Sequence, residues 1–231
     1  MSNINVRILV EGPTEQTFVR DFLAPEMAMK GIYLQAARIG SPGHKGGDIR
    51  FERAKTDIGN FLRQRADIYV STMFDYYGID ADWPGKEEIR KQTHSGAALS
   101  AAEKAERLEE ATQQEIAAVF GSNDALRRFI PYISMHEFEA LLFSEPLILA
   151  EKLHVEPQCI RQILAECGSP EEINDNPATA PSKRISALMR GYQKIAMGKK
   201  IAETTGLAVM RRQCPHFDSW LKQLEQLPKG L

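Results

Sequence analysis

The chain has 231 residues, of which 43% are hydrophobic, and that is enough for one α/β domain of about 150 residues and a smaller appendage. No apolar run has the length of a membrane span, and acids occupy the region where a signal peptide would be apolar, so we expect a cytoplasmic protein without a membrane partner. The net charge of −2 hides an asymmetry: residues 1–180 hold 19 Lys/Arg and 28 Asp/Glu, whereas residues 181–231 hold 10 and 3. A basic region on an acidic body is typical of an enzyme that acts on a polyanion, or of helices made soluble by lysine.

The first element is a strand followed by a helix. Residues 4–10 alternate apolar and polar side chains, which predicts a strand that places Glu11 at its carboxyl end. Gly12 allows a tight turn, Pro13 suits the start of a helix, and Glu15 complements the helix dipole. Taken alone, Glu11 fits a surface acid at least as well as a catalytic or metal-binding acid.

A second strand and a glycine-rich loop follow. The first helix is predicted to kink or restart at Pro25 and to end at Gly31, and residues 32–39 read as the second strand. Residues 40–48 contain four glycines and Lys45, which suit a phosphate-contacting loop or a plain mobile loop. The residues of the loop do not follow the order of a Walker A motif.

The third strand supplies another acid. Residues 51–65 are predicted to form a helix, and residues 67–74 form a short apolar run typical of a buried central strand. Asp75 follows this strand directly. Residues 79–98 carry proline, glycine and mixed charges and are interpreted as a long loop, and residues 99–120 as an amphipathic helix.

The fourth strand ends in a cluster of polar residues. It is predicted over residues 129–135 with an interruption at Pro131, and it leads into His136, Glu137 and Glu139 before another helix opens. This is not the zinc motif HExxH, because Ala140 stands where the second histidine is required.

The rest of the chain reads as helical. Helices are predicted near residues 147–153, 157–167 and 183–197 and around Trp220, so we divide the chain into an α/β domain, 1–145, and a basic helical region, 146–231. The candidate phosphate contacts of this region are Lys183, Arg184, Arg211 and Arg212, with surface charge as the alternative. Its cysteines, Cys159, Cys167 and Cys214, are odd in number and fit free thiols.

Three separate segments place acids at one edge of the predicted sheet. Strand–helix alternation predicts a mostly parallel, Rossmann-like sheet, and ligands of such sheets bind beyond the carboxyl ends of the strands. Glu11, Asp75 and the His136–Glu139 segment all lie there. Carboxylate oxygens without cysteine suit Mg²⁺ or Mn²⁺, although acids at strand ends also cap helices.

The motifs resemble a known bacterial family, domain of unknown function 4276. They are Val10-Glu11-Gly12 with Thr14-Glu15, Phe74 to Gly78, His136 to Phe143, Pro181 to Ile185, and Cys214 to Phe217. The family is similar to the Toprim superfamily, the metal-binding α/β domain of topoisomerases, primases and overcoming-lysogenization-defect nucleases. The resemblance implies that Glu11 is a general acid/base or metal ligand and that Asp75 is the first acid of an Asp-x-Asp motif.

One position departs from the pattern that the resemblance implies, because Tyr77 stands in place of the second aspartate. A replacement ligand would come from Glu137, Glu139, Asp80 or Asp82; otherwise the site binds a single metal weakly. Glu15 and His136 are assigned supporting roles. His136 is equally well a histidine at the end of a strand whose hydrogen bonds are satisfied within the fold.

Three functions fit these residues. The first is a Mg²⁺-dependent phosphodiester hydrolase on DNA or RNA, with Glu11, Asp75 and Glu137 as catalytic residues and Glu139 as a further metal ligand. The second is a non-catalytic partner of a separate ATPase in a bacterial defence system against phage, since the chain has no P-loop. A nucleotidyl transferase ranks last, because no nucleotide pocket is evident.

Overall fold

A parallel β-sheet lies at the centre of the protein. The computed structural model describes residues 3–40, 49–96, 99–173 and 179–229, so Lys45 and its loop lie outside the described residues. The strands in this part of the chain are β1 Ile4–Val10, β2 Ile32–Arg38, β3 Tyr69–Asp75, β4 Phe129–Ile130 and β5 Ile133–Ser134. Every pairing between them is parallel, which confirms the predicted α/β class.

The strand order brings the predicted acids to one edge. The order is β2-β1-β3-β4, and β5 continues the pairing with β3. Val10 pairs with Met73, and Asp75 pairs with Ser134. Glu11 therefore follows the last paired residue of β1 at the level where β3 ends, and Glu137 follows three residues after Ser134. This register aligns the carboxyl ends of the three strands.

The predicted fourth strand is broken at Pro131, which has no N–H to donate to a ladder. Hydroxyls of β3 bridge the gap. Thr72 Oγ1 donates to the Tyr132 carbonyl at 3.0 Å and accepts from the Tyr132 N–H at 2.9 Å, and Ser71 Oγ donates to the Ile130 carbonyl at 2.6 Å. These side-chain bonds hold β5, and with it the His136–Glu139 segment, beside β3.

Helices flank the sheet on both faces. Their bounds are α1 Pro13–Phe18, α2 Ala24–Ala28, α3 Phe51–Gln64, α4 Lys86–His94, α5 Ala101–Phe120, α6 Ser122–Arg128, α7 Pro146–Leu153, α8 Pro157–Cys167, α9 Pro181–Leu188, α10 Lys194–Thr205, α11 Leu207–Gln213 and α12 Pro215–Glu225. A π-helical stretch, Val19–Leu23, joins α1 to α2, and Phe138–Ser144 forms a 3₁₀ helix. None of the helices in the described ranges has the length and apolar character that crossing a membrane requires.

Two predictions of local structure were wrong. Residues 79–98 are not one long loop, because α4 begins after Gly85, whose φ of +85° is accessible to glycine, and buries Ile89. The helix predicted over 183–197 is two helices, since the chain turns at Gly191 with a φ of +83°. The second error matters most for the site, because it moves Lys194 to the start of α10.

The helices of the C-terminal region pack directly on the sheet. Phe217, Trp220 and Leu221 of α12 share one buried core with β1 and α1, and α3 and α5 cover the opposite face. The Trp220 ring stacks on Tyr132 with 4.4 Å between centroids, and its Nε1–H donates to Ser71 Oγ at 2.9 Å. The boundary after residue 145 stays a prediction, but the C-terminal helices on this face and the sheet share a core.

Candidate functional site

Glu11 lies where β1 ends and is packed against the turn that follows β3. A Cβ placed on Gly78 would be 2.1 Å from Glu11 Oε2, so a larger residue at this position would require the carboxylate to move. The same turn is held by the Gly78 N–H, which donates to the Asp75 carbonyl at 2.9 Å. The ends of β1 and β3 are therefore joined by direct packing of Glu11 on the Asp75–Gly78 turn.

Asp75 is surrounded by like charges. Its Oδ1 is buried and has no hydrogen-bond partner in the described part of the chain. The pKa of Asp75 is raised well above its usual value, first because burial disfavours the carboxylate and then because Glu15, Glu11, Glu139 and Glu137 repel it. The five carboxyl groups of Glu11, Glu15, Asp75, Glu137 and Glu139 are called the acid site below.

Glu15 reaches the acid site from the first turn of α1. It is buried, and its Oε2 accepts the Gly12 N–H at 3.1 Å, which closes the turn between strand and helix. Burial is the largest cause of its raised pKa, while backbone hydrogen bonds and Lys194 oppose the shift. The supporting role of Glu15 stays a prediction, and in the structure its carboxylate closes the turn that follows Glu11.

Glu137 is held by groups from the C-terminal region. The Ser182 N–H and Oγ–H each donate to its carboxylate at 2.8 Å, and Lys194 Nζ donates to Oε1 at 3.1 Å. Burial by itself raises the pKa of Glu137, but the bonds from Ser182 and Lys194 outweigh it and leave the pKa below its usual value. Glu137 is therefore ionised at neutral pH and fixed in place.

Glu139 differs from Glu137, although the two residues are two positions apart. It is 1% exposed, and burial is the main reason that its pKa rises to about 7, with Lys194 opposing and Glu137 adding to the shift. Lys194 Nζ lies 3.3 Å from Glu139 Oε1. At neutral pH this carboxyl exists in both protonation states, which suits a group that holds or transfers a proton.

Lys194 and Tyr192 belong to the site but were not predicted. Burial lowers the pKa of Lys194, and the charges of Glu139 and Glu137 outweigh it, so the ammonium stays charged. The Tyr192 hydroxyl is buried without a hydrogen-bond partner among the described residues, and its pKa is raised by burial and by both glutamates. No local motif signals either residue, since the chain separation from Glu137 exceeds 50 residues.

His136 lies at the border of the acid site. Its ring is 3% exposed and contacts Tyr77, with 6.5 Å between centroids. It also lines a cavity of about 140 Å³ with Tyr132 and His216. The supporting role of His136 stays a prediction.

The two aspartates considered as replacement ligands have other positions. Asp80 Oδ2 accepts the Phe51 N–H at 3.4 Å, at the start of α3, and Asp82 is exposed on a separate groove. Neither is among the four carboxyl groups named above as the main source of the repulsion on Asp75. The role of these two aspartates as replacement ligands stays a prediction.

One or two carboxylates of the acid site suit the binding of a divalent cation. No group of three His, Cys, Asp or Glu side chains within the described ranges has the geometry of a metal site. Mg²⁺, however, keeps several waters and commonly binds through one or two carboxylates together with substrate phosphates. Asp75, with a buried and unbonded oxygen, and the neighbouring Glu11 suit such an ion, whereas Glu137 is already bonded to Ser182 and Lys194.

The predicted phosphate contacts are scattered. Lys183 and Arg212 are exposed. Arg184 donates to the Thr179 carbonyl and lies 3.5 Å from Glu166. Arg211 is bound by carboxylates on α12, so its charge is used within the fold. Within the described part of the chain, no hydrogen bond or ion pair joins these four side chains to the acid site.

Comparison with known proteins shows the family. The model of the family described as domain of unknown function (DUF4276) matches residues 10–225. No curated protein matches the chain. One solved structure, the C-terminal region of the OLD protein of Xanthomonas campestris pv. campestris, is similar with 14% identity and a TM-score of 0.37, over 94% of this chain and 97% of that one. The resemblance drawn from the sequence motifs is thereby confirmed, and the chain belongs to the DUF4276 family.

Proposed function

We propose that the protein is a phosphodiester hydrolase that uses Mg²⁺ or Mn²⁺ bound by Glu11 and Asp75. The observation that carries the proposal is the charge balance of the acid site. Five carboxyl groups meet there, and among the described residues Lys194 pairs with Glu137 and Glu139 but not with Asp75. A divalent ion beside Asp75 would relieve the repulsion that raises its pKa.

A bound ion would neutralise charge on a phosphodiester and lower the pKa of a water bound to it. The chain's own residues supply the other requirements. Glu139 has a pKa of about 7, so it can accept a proton from the attacking water or return one to the leaving oxygen. Glu137 stays ionised and orients Ser182 and Lys194, and we therefore assign the proton-transfer role to Glu139 and a positioning role to Glu137.

Calorimetry and turnover test the proposal together. Titration of Mn²⁺ into the wild type should show binding that Asp75→Asn and Glu11→Gln lose. The same variants should lose Mn²⁺-dependent hydrolysis of bis(p-nitrophenyl) phosphate, a small diester that needs no extended binding surface. Glu115→Gln, on the exposed side of α5, is the matched control and should behave as the wild type. Equal metal binding by the wild type and Asp75→Asn would refute the metal assignment.

The second candidate is a non-catalytic partner of a separate ATPase, in a defence system or in DNA processing. Two observations favour it: Tyr77 in place of a second aspartate, and the lack of a three-ligand group within the residues the structure describes. Under this hypothesis the acid site is structural, and Lys194 offsets part of its negative charge. A wild type that binds no Mn²⁺ yet co-purifies with an ATPase would support this function over the first.

A further inference from the structure

A cleft with several basic side chains begins one residue after Asp75. It has a volume of about 360 Å³, lies between α4 and α5, and has Tyr76 in its wall. Most of the cleft residues lie in the segment 79–98 that was interpreted from the sequence as a long loop, and none of them was among the predicted site residues. We call it the cationic cleft, and its basic residues are Lys86, Arg90, His94 and Lys104.

The basic side chains come from two helices. Lys86, Arg90 and His94 are spaced four residues apart on α4, which places them on one face. Lys104 enters from α5 and is 9% exposed. Lys86 Nζ donates to the Ile79 carbonyl at 2.6 Å and lies 4.7 Å from the centre of the Tyr76 ring, so its charge is fixed beside the turn that carries Asp75.

Arg90 is the member most available to a ligand. Its side chain is exposed and has no ion pair or hydrogen bond with any described residue. Glu87 also lines the cleft, and its carboxylate lies 2.7 Å from Lys91 Nζ on the same helix. The carboxylate of Glu87 is therefore already paired, which leaves the Arg90 guanidinium available to a ligand.

We propose that the cationic cleft binds the phosphate backbone of a single nucleic-acid strand and directs the strand to the acid site. The proposal rests on the proposed hydrolase function, since it supplies the binding surface for that reaction. Phosphates are the ligands that a group of Lys and Arg side chains attracts, and the wall of the cleft includes Tyr76, which follows Asp75 in the chain. The basic side chains contact the phosphates and not the bases, so we expect DNA and RNA strands to bind irrespective of sequence.

Fluorescence anisotropy in EDTA tests the cleft without requiring hydrolysis. The probes are labelled DNA and RNA strands of about 12 nucleotides and mixed sequence, measured at several salt concentrations. Arg90→Gln should weaken binding roughly threefold to tenfold and reduce the slope of log affinity against log salt by about 0.7, the value for one lost contact to a single strand. Arg90→Glu should weaken binding further, and Arg90→Lys should restore most of it.

Arg127 provides the matched control. It is exposed, has no ion pair among the described residues, and lies on α6 just before β4, at the amino edge of the sheet opposite the acid site. Arg127→Gln and Arg127→Glu should leave both affinity and salt slope unchanged. Equal losses of affinity for the substitutions at positions 90 and 127, or no binding of the strand by the wild type, would refute the cleft proposal.

Failure of the cleft and failure of the hydrolase give different results. Strand binding through Arg90 in EDTA without Mn²⁺-dependent turnover of the small diester would support the cleft proposal and refute the hydrolase proposal. Turnover of the small diester, with equal effects of the Arg90 and Arg127 substitutions on strand binding, would support the hydrolase proposal and refute the cleft proposal.

Discussion

The carboxylate of Glu11 and the backbone of Gly78 occupy adjoining space, so that a methyl group at position 78 would lie 2.1 Å from Glu11 Oε2. Gly78→Ala should therefore displace Glu11, weaken Mn²⁺ binding at least tenfold and destabilise the protein by about 1–3 kcal/mol. Calorimetry and urea unfolding measure both effects. A double-mutant cycle gives the control: in a Glu11→Ala background the same change at Gly78 should cost much less. An undiminished cost in that background would show that the clash involves other atoms.

Asp75→Asn should stabilise the metal-free protein while abolishing metal binding. The substitution removes a buried carboxyl group whose ionised form four neighbouring carboxyl groups repel, and relief of such repulsion is expected to contribute about 1–2 kcal/mol. For a chain of this size that corresponds to an increase in melting temperature of roughly 2–8 °C in EDTA at pH 8. Thermal melts with and without Mn²⁺ test it. A lower melting temperature in EDTA would mean that Asp75 has a bonded, structural role.

The stability of the metal-free protein should fall as pH rises from 5 to 7, and Glu139→Gln should reduce that fall. The folded-state pKa of Glu139 is raised to about 7, so the folded protein binds the proton more tightly than the unfolded chain does. Its contribution is fully present below the unfolded pKa of about 4.3 and is lost as pH rises through about 7, with a slope of up to about 1.4 kcal/mol per pH unit.

Urea unfolding at pH 5, 6, 7 and 8 measures this dependence. His216 acts in the same direction. Burial lowers its pKa, but the bond to Glu109 at 2.9 Å raises the pKa by more, so that the net shift is upward. The histidine's contribution is likewise lost as pH rises through its raised pKa. The difference between the wild type and Glu139→Gln isolates the glutamate, and identical slopes would contradict its assignment.

Lys194→Met should destabilise the protein most at high pH. The change removes the ammonium that pairs with Glu137 and Glu139, at 3.1 and 3.3 Å, when both carboxylates are ionised. Because the Lys194 side chain is 44% exposed, solvent screens the pair and we expect a loss of about 1–2 kcal/mol at pH 8, less than for a fully buried pair. Lys200→Met, at an exposed position of the same helix, is the control. Equal losses from the two variants at pH 8 would contradict a specific pairing.

Arg211 and Arg212 should differ when each is replaced by alanine. Arg211 bonds to Asp218 and to Glu225, with Nη2 3.1 Å from Glu225 Oε2, and these bonds raise its pKa. Arg211→Ala should therefore lower the free energy of unfolding by about 1–2 kcal/mol, since it unpairs two partly buried acids. Arg212→Ala should have little effect on unfolding. A change in the salt dependence of nucleic-acid binding for either variant would assign it a phosphate contact.

The acids at the strand ends could be predicted from sequence because two simple patterns suffice. Alternation over Ile4–Val10 and the apolar run before Asp75 fix where the strands end, and a parallel sheet places those ends together. The register Asp75–Ser134 then brings Glu137 and Glu139 beside them. The local chemistry of each acid was not predictable, because the contrast between Glu137 and Glu139 depends on which of them Ser182 bonds.

Residues that complete the site from a distance left no such pattern. Lys194 begins a helix whose start is set by the turn at Gly191, and the sequence pattern suggested one continuous helix across it. The cleft residue Arg90 was assigned to a loop, since proline, glycine and charges around Gly85 conceal a nine-residue helix. The partners of Arg211 lie on the next helix, so its ion pairs depend on how α11 and α12 meet.

Ser182 and Lys194 hold Glu137, and Trp220 supports β3. These contacts determine when the site can form during synthesis of the chain. A ribosome makes the acids of β1 and β3 first and the groups that fix Glu137 more than 40 residues after it. A nascent chain that stops before Ser182 carries all five carboxyl groups without the Ser182 hydroxyl, the Lys194 ammonium or the Trp220 indole that organise the site. The site therefore forms only after the C-terminal region has been made, because an unfinished chain has the acids of the site but not their arrangement.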